Sequence, residues 1–344
     1  MIIDAVASGR RHEKMPPTSP YTAGVLGGIA APFRLYRLSR PAPVAHAAPG
    51  LHAGVCAWLN GIDDGIPEQE GPMKAVICRN DQQCRPLAAL EVGELPEPQL
   101  RPFWSTVSVK AATVNHHDIW SLKGVGLAAE ATPMILGTDA AGVLDEDIPV
   151  RKGLKAGDEV VLYTVIGADG AGVMPGERRT ILSERYPGTM AAKTQVPSAN
   201  VFAKPANLTL DEAAALGTSW LTAYSLVFAS AGVKPGDTIL IQGAGGGVST
   251  AAVQLAHAAG LEVFVTSRDE TKRERALALG ADAAFEAGAR LPRKVDAVIE
   301  SVGAATWGHS VRSVRPVARL RSAVPPPATS RAPNSPACSS RTYA

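Results

Sequence analysis

A glycine run, Gly243-Ala244-Gly245-Gly246-Gly247-Val248-Ser249, stands between the apolar stretch Thr238 to Gln242 and a segment with helical spacing, Val248 to Ala259. Glycine at such a turn permits positive φ and lets a pyrophosphate approach the backbone. The N-terminus of the following helix adds unpaired N–H groups and a partial positive charge. The G-x-G-x-x-G spacing is met loosely, its best register falling on Ala244, Gly246 and Ser249. A structural tight turn could use the same glycines. The strand–helix–strand setting turns the reading to dinucleotide binding, with contacts from Ala244, Gly245, Gly246, Gly247 and Val248. The next strand ends in Thr266-Ser267-Arg268. An NAD site wants an acid there for the ribose 2′-OH. A hydroxyl and a guanidinium, with Lys272 one turn on, suit a 2′-phosphate instead, which favours NADPH over NADH. Ser267 could alternatively cap a helix with Glu270, leaving Arg268 solvated and Asp269 available to a 2′-OH.

A second group with chemical potential is Asn115-His116-His117-Asp118. If this segment is extended, His116 and Asp118 point to one face. Two ligands make a poor metal site. The simpler readings are a surface or packing role for His117 and a structural hydrogen bond to backbone for Asp118. Trp120 suits a cleft wall or the core equally. Cys56, Cys78, Cys84 and Cys338 are scattered with no CxxC pair, which excludes a disulfide scaffold and a four-cysteine zinc knuckle. Such thiols fit a reducing cytoplasm.

These groups need a folded frame. The chain has 344 residues, enough for about two domains. Hydrophobic residues make up 46% and charged residues 19%, so most of it should fold. No run of 18 apolar residues exists, and a net charge of +2 does not point to nucleic acid. Arg10-Arg11, the apolar run Thr22 to Phe33 and Ala45-His46-Ala47 mimic an export signal, but prolines interrupt it and Arg34, Arg37 and Arg40 intervene. Residues 1–72 therefore read as a disordered extension. From Met73 to Lys204 the pattern is mainly β: strands at Lys74 to Cys78, Ser105 to Ala112, Gly137 to Val143, Glu159 to Tyr163, Gly188 to Val196 and Val201 to Lys204. From residue 205 to 315 strands alternate with helices. Thr209 and Glu212 form a capping box, and strands at 238–242, 261–266, 283–285 and 296–300 imply a doubly wound parallel sheet.

The order of these pieces resembles the medium-chain dehydrogenase/reductase superfamily. The resemblance rests on Val109-Lys110-Ala111-Ala112 leading to Asn115-His116-His117-Asp118, on Gly137-Thr138-Asp139-Ala140-Ala141-Gly142, on Lys155-Ala156-Gly157-Asp158-Glu159-Val160, and on Ala213 to Tyr224, Lys234 to Ala283 and Asp296 to Gly303. It implies an α/β protein: a GroES-like catalytic domain over 73–204, then a Rossmann NADP-binding domain over 205–315, with the active site in the cleft. Alcohol dehydrogenases of the superfamily hold zinc with Cys, His and Cys. The matching positions here are Asn115, Thr138 and Thr218, which are not zinc ligands. The pattern is similar to the zinc-free branch of quinone oxidoreductases and enoyl reductases. By that analogy Asn115 and then Thr218 polarise a substrate oxygen, Thr222 holds the nicotinamide carboxamide, and a proton comes from solvent, His116, Tyr163 or Tyr224. The expected activity is NADPH-dependent reduction of a quinone or α,β-unsaturated carbonyl without zinc, in the cytoplasm, with no nucleic acid or membrane partner.

Two other readings stay open. One is a zinc-type alcohol dehydrogenase with its ligands elsewhere. The other is an inactive nucleotide-binding relic, suggested by the Pro/Arg/Ser-rich stretch 316–344. That stretch reads as disordered, too rich in proline to donate a regular ladder. The second half of the sheet would then be incomplete, the strand at 296–300 would be an unpaired edge, and the family's sheet-extended dimer is not expected.

Overall fold

The computed structural model describes residues 72–80, 86–148, 153–167, 170 and 178–323. The readings on residues 1–71, on Cys56, Cys84 and Cys338, and on residues 324–344 lie outside these. The chain divides into two compact units, which part between Thr218 and Ser219. No helix among the described residues is long and apolar enough to cross a membrane.

The first unit is built from β-strands. β1 (Met73–Cys78) pairs antiparallel with β2 (Leu90–Leu95) and with β4 (Met134–Ile135). A five-stranded sheet runs β10 (Val201–Ala203), β6 (Glu159–Leu162), β5 (Ala140–Leu144), β3 (Trp104–Ala112), β9 (Lys193–Pro197). β3 alternates buried and half-buried positions, as a strand with one covered face must. Its Val107 and Val109 pack with Leu144, Val160, Leu162 and Val196. β7 (Val165–Gly167) and β8 (Arg179–Ile181) form a separate hairpin pair.

After β3 the chain turns into a helix, α1 (His116–Leu122), and not the extended segment considered from sequence. The reason is local. Asn115 is the N-cap, and the Asp118 carboxylate reaches back to accept its backbone N–H at 2.7 Å. In a helix, positions two apart face different ways, so His116 and Asp118 do not converge. α2 (Leu210–Ala214) starts at the expected box: Thr209 Oγ1 accepts from Glu212 N, and Glu212 accepts from Thr209 N. Its Ala213 and Ala214 pack on Ala111, Ala141 and Val161 of the first unit. With α2 packed there, the first compact unit runs on to Thr218. A π-helical turn, Leu216–Trp220, follows, then α3 (Leu221–Tyr224) and a second π turn, Ser225–Ser230.

The second unit is a parallel sheet in the order β13 (Ala283–Phe285), β12 (Glu262–Thr266), β11 (Thr238–Gln242), β14 (Val295–Glu300), β15 (Val314–Ser322). α4 (Gly247–Ala258), α5 (Glu270–Ala278) and α6 (Ala304–Ser313) connect the strands. The central β11 is buried along its length, as a strand covered on both faces must be. Here the structure corrects the sequence reading: β14 is not an unpaired edge, because residues 314–322 form a strand beside it. β15 pairs parallel with β14, Val314 opposite Val295 and then Arg319 opposite Ala297. The register shift between those pairs holds Pro316 where the ladder is interrupted, so its missing N–H breaks no regular pairing. Leu320 packs toward Leu240, Phe264 and Val298, Arg315 pairs with Asp296 at 2.6 Å, and Arg321 Nε donates to Ser230 O at 2.8 Å.

Candidate functional site

In the first unit, the turn after β3, the loop before β5 and the first π turn bring their polar side chains together. Asn115 Nδ2 lies 3.2 Å from Thr138 Oγ1, 3.1 Å from Thr113 Oγ1 and 3.1 Å from Asp139 Oδ1. Thr138 Oγ1 is 3.0 Å from Thr218 Oγ1. Thr113 Oγ1 donates to Asp139 Oδ1 at 2.6 Å. The three positions that resemble zinc-ligand positions therefore form one cluster of neutral amide and hydroxyl groups. Among the described residues, no group of three His, Cys, Asp or Glu side chains could hold a metal ion.

Asp139 is fully buried, and burial pushes its carboxyl up to about 6 against the opposing pull of Thr113, Thr218 and Asn115. Its Oδ2 has no hydrogen-bond partner; Thr218 lies near the carboxyl but outside bonding geometry to that oxygen. Sequence reasoning missed both Asp139 and Thr113. The signal for Asp139 was an acid inside an otherwise small and apolar stretch, Gly137 to Val143. Asp118 serves the backbone: besides the Asn115 cap, it accepts Gly137 N–H at 3.1 Å. Burial pushes its carboxyl up, opposed by those N–H bonds and by His117. His116 is exposed, its ring edge-on to Trp120 at 5.3 Å. Tyr163 is held above the usual phenol range by burial, with Arg179 opposing. Tyr224 stacks obliquely with Phe228 at 5.0 Å.

In the second unit, the glycine run joins β11 to α4. Gly243 and Gly245 have φ of +76° and +98°, and Gly246 is the N-cap of α4. Ser249 Oγ bonds the loop from inside, to Gly246 N at 3.1 Å and Gly243 O at 2.9 Å. Gly246 itself has an ordinary φ of −82°, and a Cβ there would meet only Ser249 Oγ, at 3.4 Å. The fold leaves that face of the loop open, which fits a group that must approach the backbone. A Cβ on Gly245 would stand 2.8 Å from Lys272 Cδ, so the lysine stem lies across the loop. Ser267 is buried, and its Oγ accepts from Asp269 N at 3.2 Å. Asp269, not Ser267, caps α5, accepting from Lys272 N. That displaces the Ser267–Glu270 capping box and commits the Asp269 carboxylate to backbone. Arg268 is exposed beside it. Ala244 is buried, Val248 and Thr222 half-buried.

Comparison with known proteins follows the two units. Residues 101–206 match the family model of an alcohol dehydrogenase GroES-like domain, and residues 247–323 that of a zinc-binding dehydrogenase. Crotonyl-CoA reductase of Streptomyces avermitilis is 29% identical over 249 residues, 65% of this chain and 56% of the relative. The 2-methylene-furan-3-one reductase of Solanum lycopersicum is 32% identical over 212 residues, 60% of this chain and 51% of the relative. The chain thus spans about half the length of the curated relatives it matches. A solved NAD-dependent alcohol dehydrogenase superposes with a TM-score of 0.64 and 34% identity, over 73% of this chain and 77% of that one.

Proposed function

Because the chain belongs to the medium-chain dehydrogenase/reductase superfamily, we propose that it is an NADPH-dependent, zinc-independent cytoplasmic reductase of α,β-unsaturated carbonyl compounds, with quinones as a second class of acceptor. One observation carries the reading: Asn115, Thr138 and Thr218, at the positions that by resemblance would carry zinc ligands, form a neutral chain in which Thr138 bonds both Asn115 and Thr218. Such groups donate hydrogen bonds to an oxygen but do not replace thiolate and imidazole. The names of the two curated relatives, a crotonyl-CoA reductase and a furanone reductase, support a conjugated substrate.

The residues of the second unit fit a dinucleotide. The open face at Gly246, the N–H groups opening α4 and the cation pair Arg268 and Lys272 would hold its phosphates; Ser267 adds a hydroxyl near the 2′ position. When bound, the nicotinamide supplies the hydride. Asn115 Nδ2, held by the Asp139 carboxyl at its back, would turn one N–H from its threonine contacts to the substrate oxygen, and Thr218 Oγ1 would support it by leaving Thr138. A proton from solvent, His116, Tyr163 or Tyr224 completes the reduction.

The test is a steady-state assay of the full chain with NADPH and NADH against an enone, a crotonyl thioester and a benzoquinone, together with elemental analysis. Turnover that prefers NADPH, with no stoichiometric zinc after dialysis, is expected. Alcohol oxidation that tracks one bound zinc per chain would overturn the reading. Nucleotide binding without turnover of any acceptor would identify a relic.

A further inference from the structure

Across the carboxyl ends of the strands of the second unit runs a chain of buried polar side chains to which the proposed reaction gives no role. It starts at Glu300, the last residue of β14. Its Oε1 accepts from Val302 N at 2.8 Å and from Gly303 N at 2.9 Å, and Ser310 Oγ of α6 donates to its Oε2 at 2.6 Å. Gln242, the last residue of β11, continues the chain. Its Nε2 donates to Ser310 Oγ at 2.9 Å and to His309 Nδ1 at 2.8 Å. Its Oε1 accepts from Thr266 Oγ1, at the end of β12. Gln242, Thr266, Glu300, His309 and Ser310 are all buried. The direction of these bonds is fixed. A carboxylate only accepts, so Ser310 gives its one hydrogen to Glu300 and must accept from Gln242. His309 Nε2 donates to Ala289 O at 2.8 Å, which leaves Nδ1 as an acceptor. Both amide hydrogens of Gln242 are thus taken on one side, and its oxygen is left for Thr266. Turning the amide over would set its oxygen against the His309 lone pair and deprive Ser310 of its donor, losses that burial makes costly.

The held residue, Thr266, stands one position before Ser267-Arg268. Its carbonyl also accepts from Gly243 N at 3.1 Å and from Ala244 N at 2.9 Å, so it carries the start of the glycine loop as well. The backbone of Thr266 is therefore bound to the loop and its side chain to Gln242. An apolar side chain at 242 would fill the same space with no polar atoms to satisfy. What the amide adds is a directional hold on the end of the neighbouring strand. We propose that Gln242 is a positioning residue for cofactor choice: through Thr266 it fixes where Ser267 and Arg268 stand relative to the glycine loop, and so sets the preference for a 2′-phosphate. This rests on the reading of the second unit as an NADPH site.

The experiment reads binding, not turnover. Fluorescence titration of the full chain with NADPH and with NADH gives an affinity ratio for the native chain and for Gln242→Met, Thr266→Val and Thr266→Ser, each checked by a thermal melt. Thr266→Val removes only the hydroxyl that Gln242 holds and keeps the side-chain shape, so it reports even where Gln242→Met does not fold. Gln242→Met and Thr266→Val should each lower the NADPH-to-NADH affinity ratio at least about tenfold, the loss expected when a charge-assisted contact is put out of line. Thr266→Ser keeps the hydroxyl and should keep the ratio. A residue with a merely structural role would weaken both nucleotides alike. Arg268→Ala closes the cycle: once that guanidinium is gone, Thr266→Val should lower the ratio no further, because it acts through the same corner. A ratio unmoved by Thr266→Val in a folded chain, or lowered by it equally with and without Arg268, overturns the proposal and leaves the NADPH reading standing. A native chain that binds both nucleotides equally, or neither, overturns that reading and the proposal with it.

Discussion

Asp139 holds a carboxyl in the core with one oxygen lacking a partner, and that has a pH signature. Its pKa is raised to about 6. Between the ordinary aspartate value and 6 the folded chain keeps a proton that the unfolded chain has lost. Stability therefore falls as pH rises through that window and levels off above it. The full penalty is on the order of 3 kcal/mol. Asp139→Asn should remove it, so the melting temperature of the variant should gain on the native chain between pH 4 and 6.5; parallel melting profiles would contradict this. At the same cluster, Asn115→Ala should lower kcat by about 100-fold with NADPH affinity unchanged, as loss of a donor to a developing oxyanion does. Across the other unit, Arg268→Ala should weaken NADPH by roughly tenfold to 100-fold and NADH hardly at all, read by fluorescence titration. Asn115, Thr138 and Thr218 were legible in the sequence because their positions answer to a motif. Thr113 and Asp139 were not, because their contact is set by how β3 and the loop before β5 meet in space.

The glycine loop shows how an element can be tested without being broken. Gly246→Val adds atoms on the open face, where a Cβ meets only Ser249 Oγ and φ is ordinary. The variant should melt like the native chain while NADPH affinity falls at least about tenfold. Gly245→Ala makes the opposite case, since φ of +98° and the Lys272 stem oppose any side chain; it should lower the melting temperature as well. Equal melting temperatures for both variants would mean that the loop relaxes freely. The alternation of β3 and the helical spacing of α4 were readable because burial on one face leaves a period in the sequence. α1 was not, because its start signal is Asn115-x-x-Asp118, whose residues also suggested chemistry. The short strands β4, β7 and β8 carry too few residues to show a period.

At the scale of the molecule, β15 decides what the second unit can be. Proline content argued that residues after 315 add nothing, yet Pro316 falls in the interrupted part of the ladder and the following residues pair. Composition averages over a segment, whereas pairing depends on which residue meets which carbonyl. Ending the chain at residue 313 should expose β14 as an edge, lower the melting temperature of the second unit and promote aggregation visible by light scattering. An unchanged melt would restore the view that this stretch is dispensable. The described parts of the two units also occupy successive lengths of chain, with none of the described first-unit residues following Thr218. A ribosome therefore finishes the strands of the first unit, β10 and α2 included, before it makes β11. The polar cluster around Asn115 can assemble on the nascent chain while the nucleotide-binding half is still being translated. The parallel sheet, whose β11 must wait for β14, closes after those strands are made.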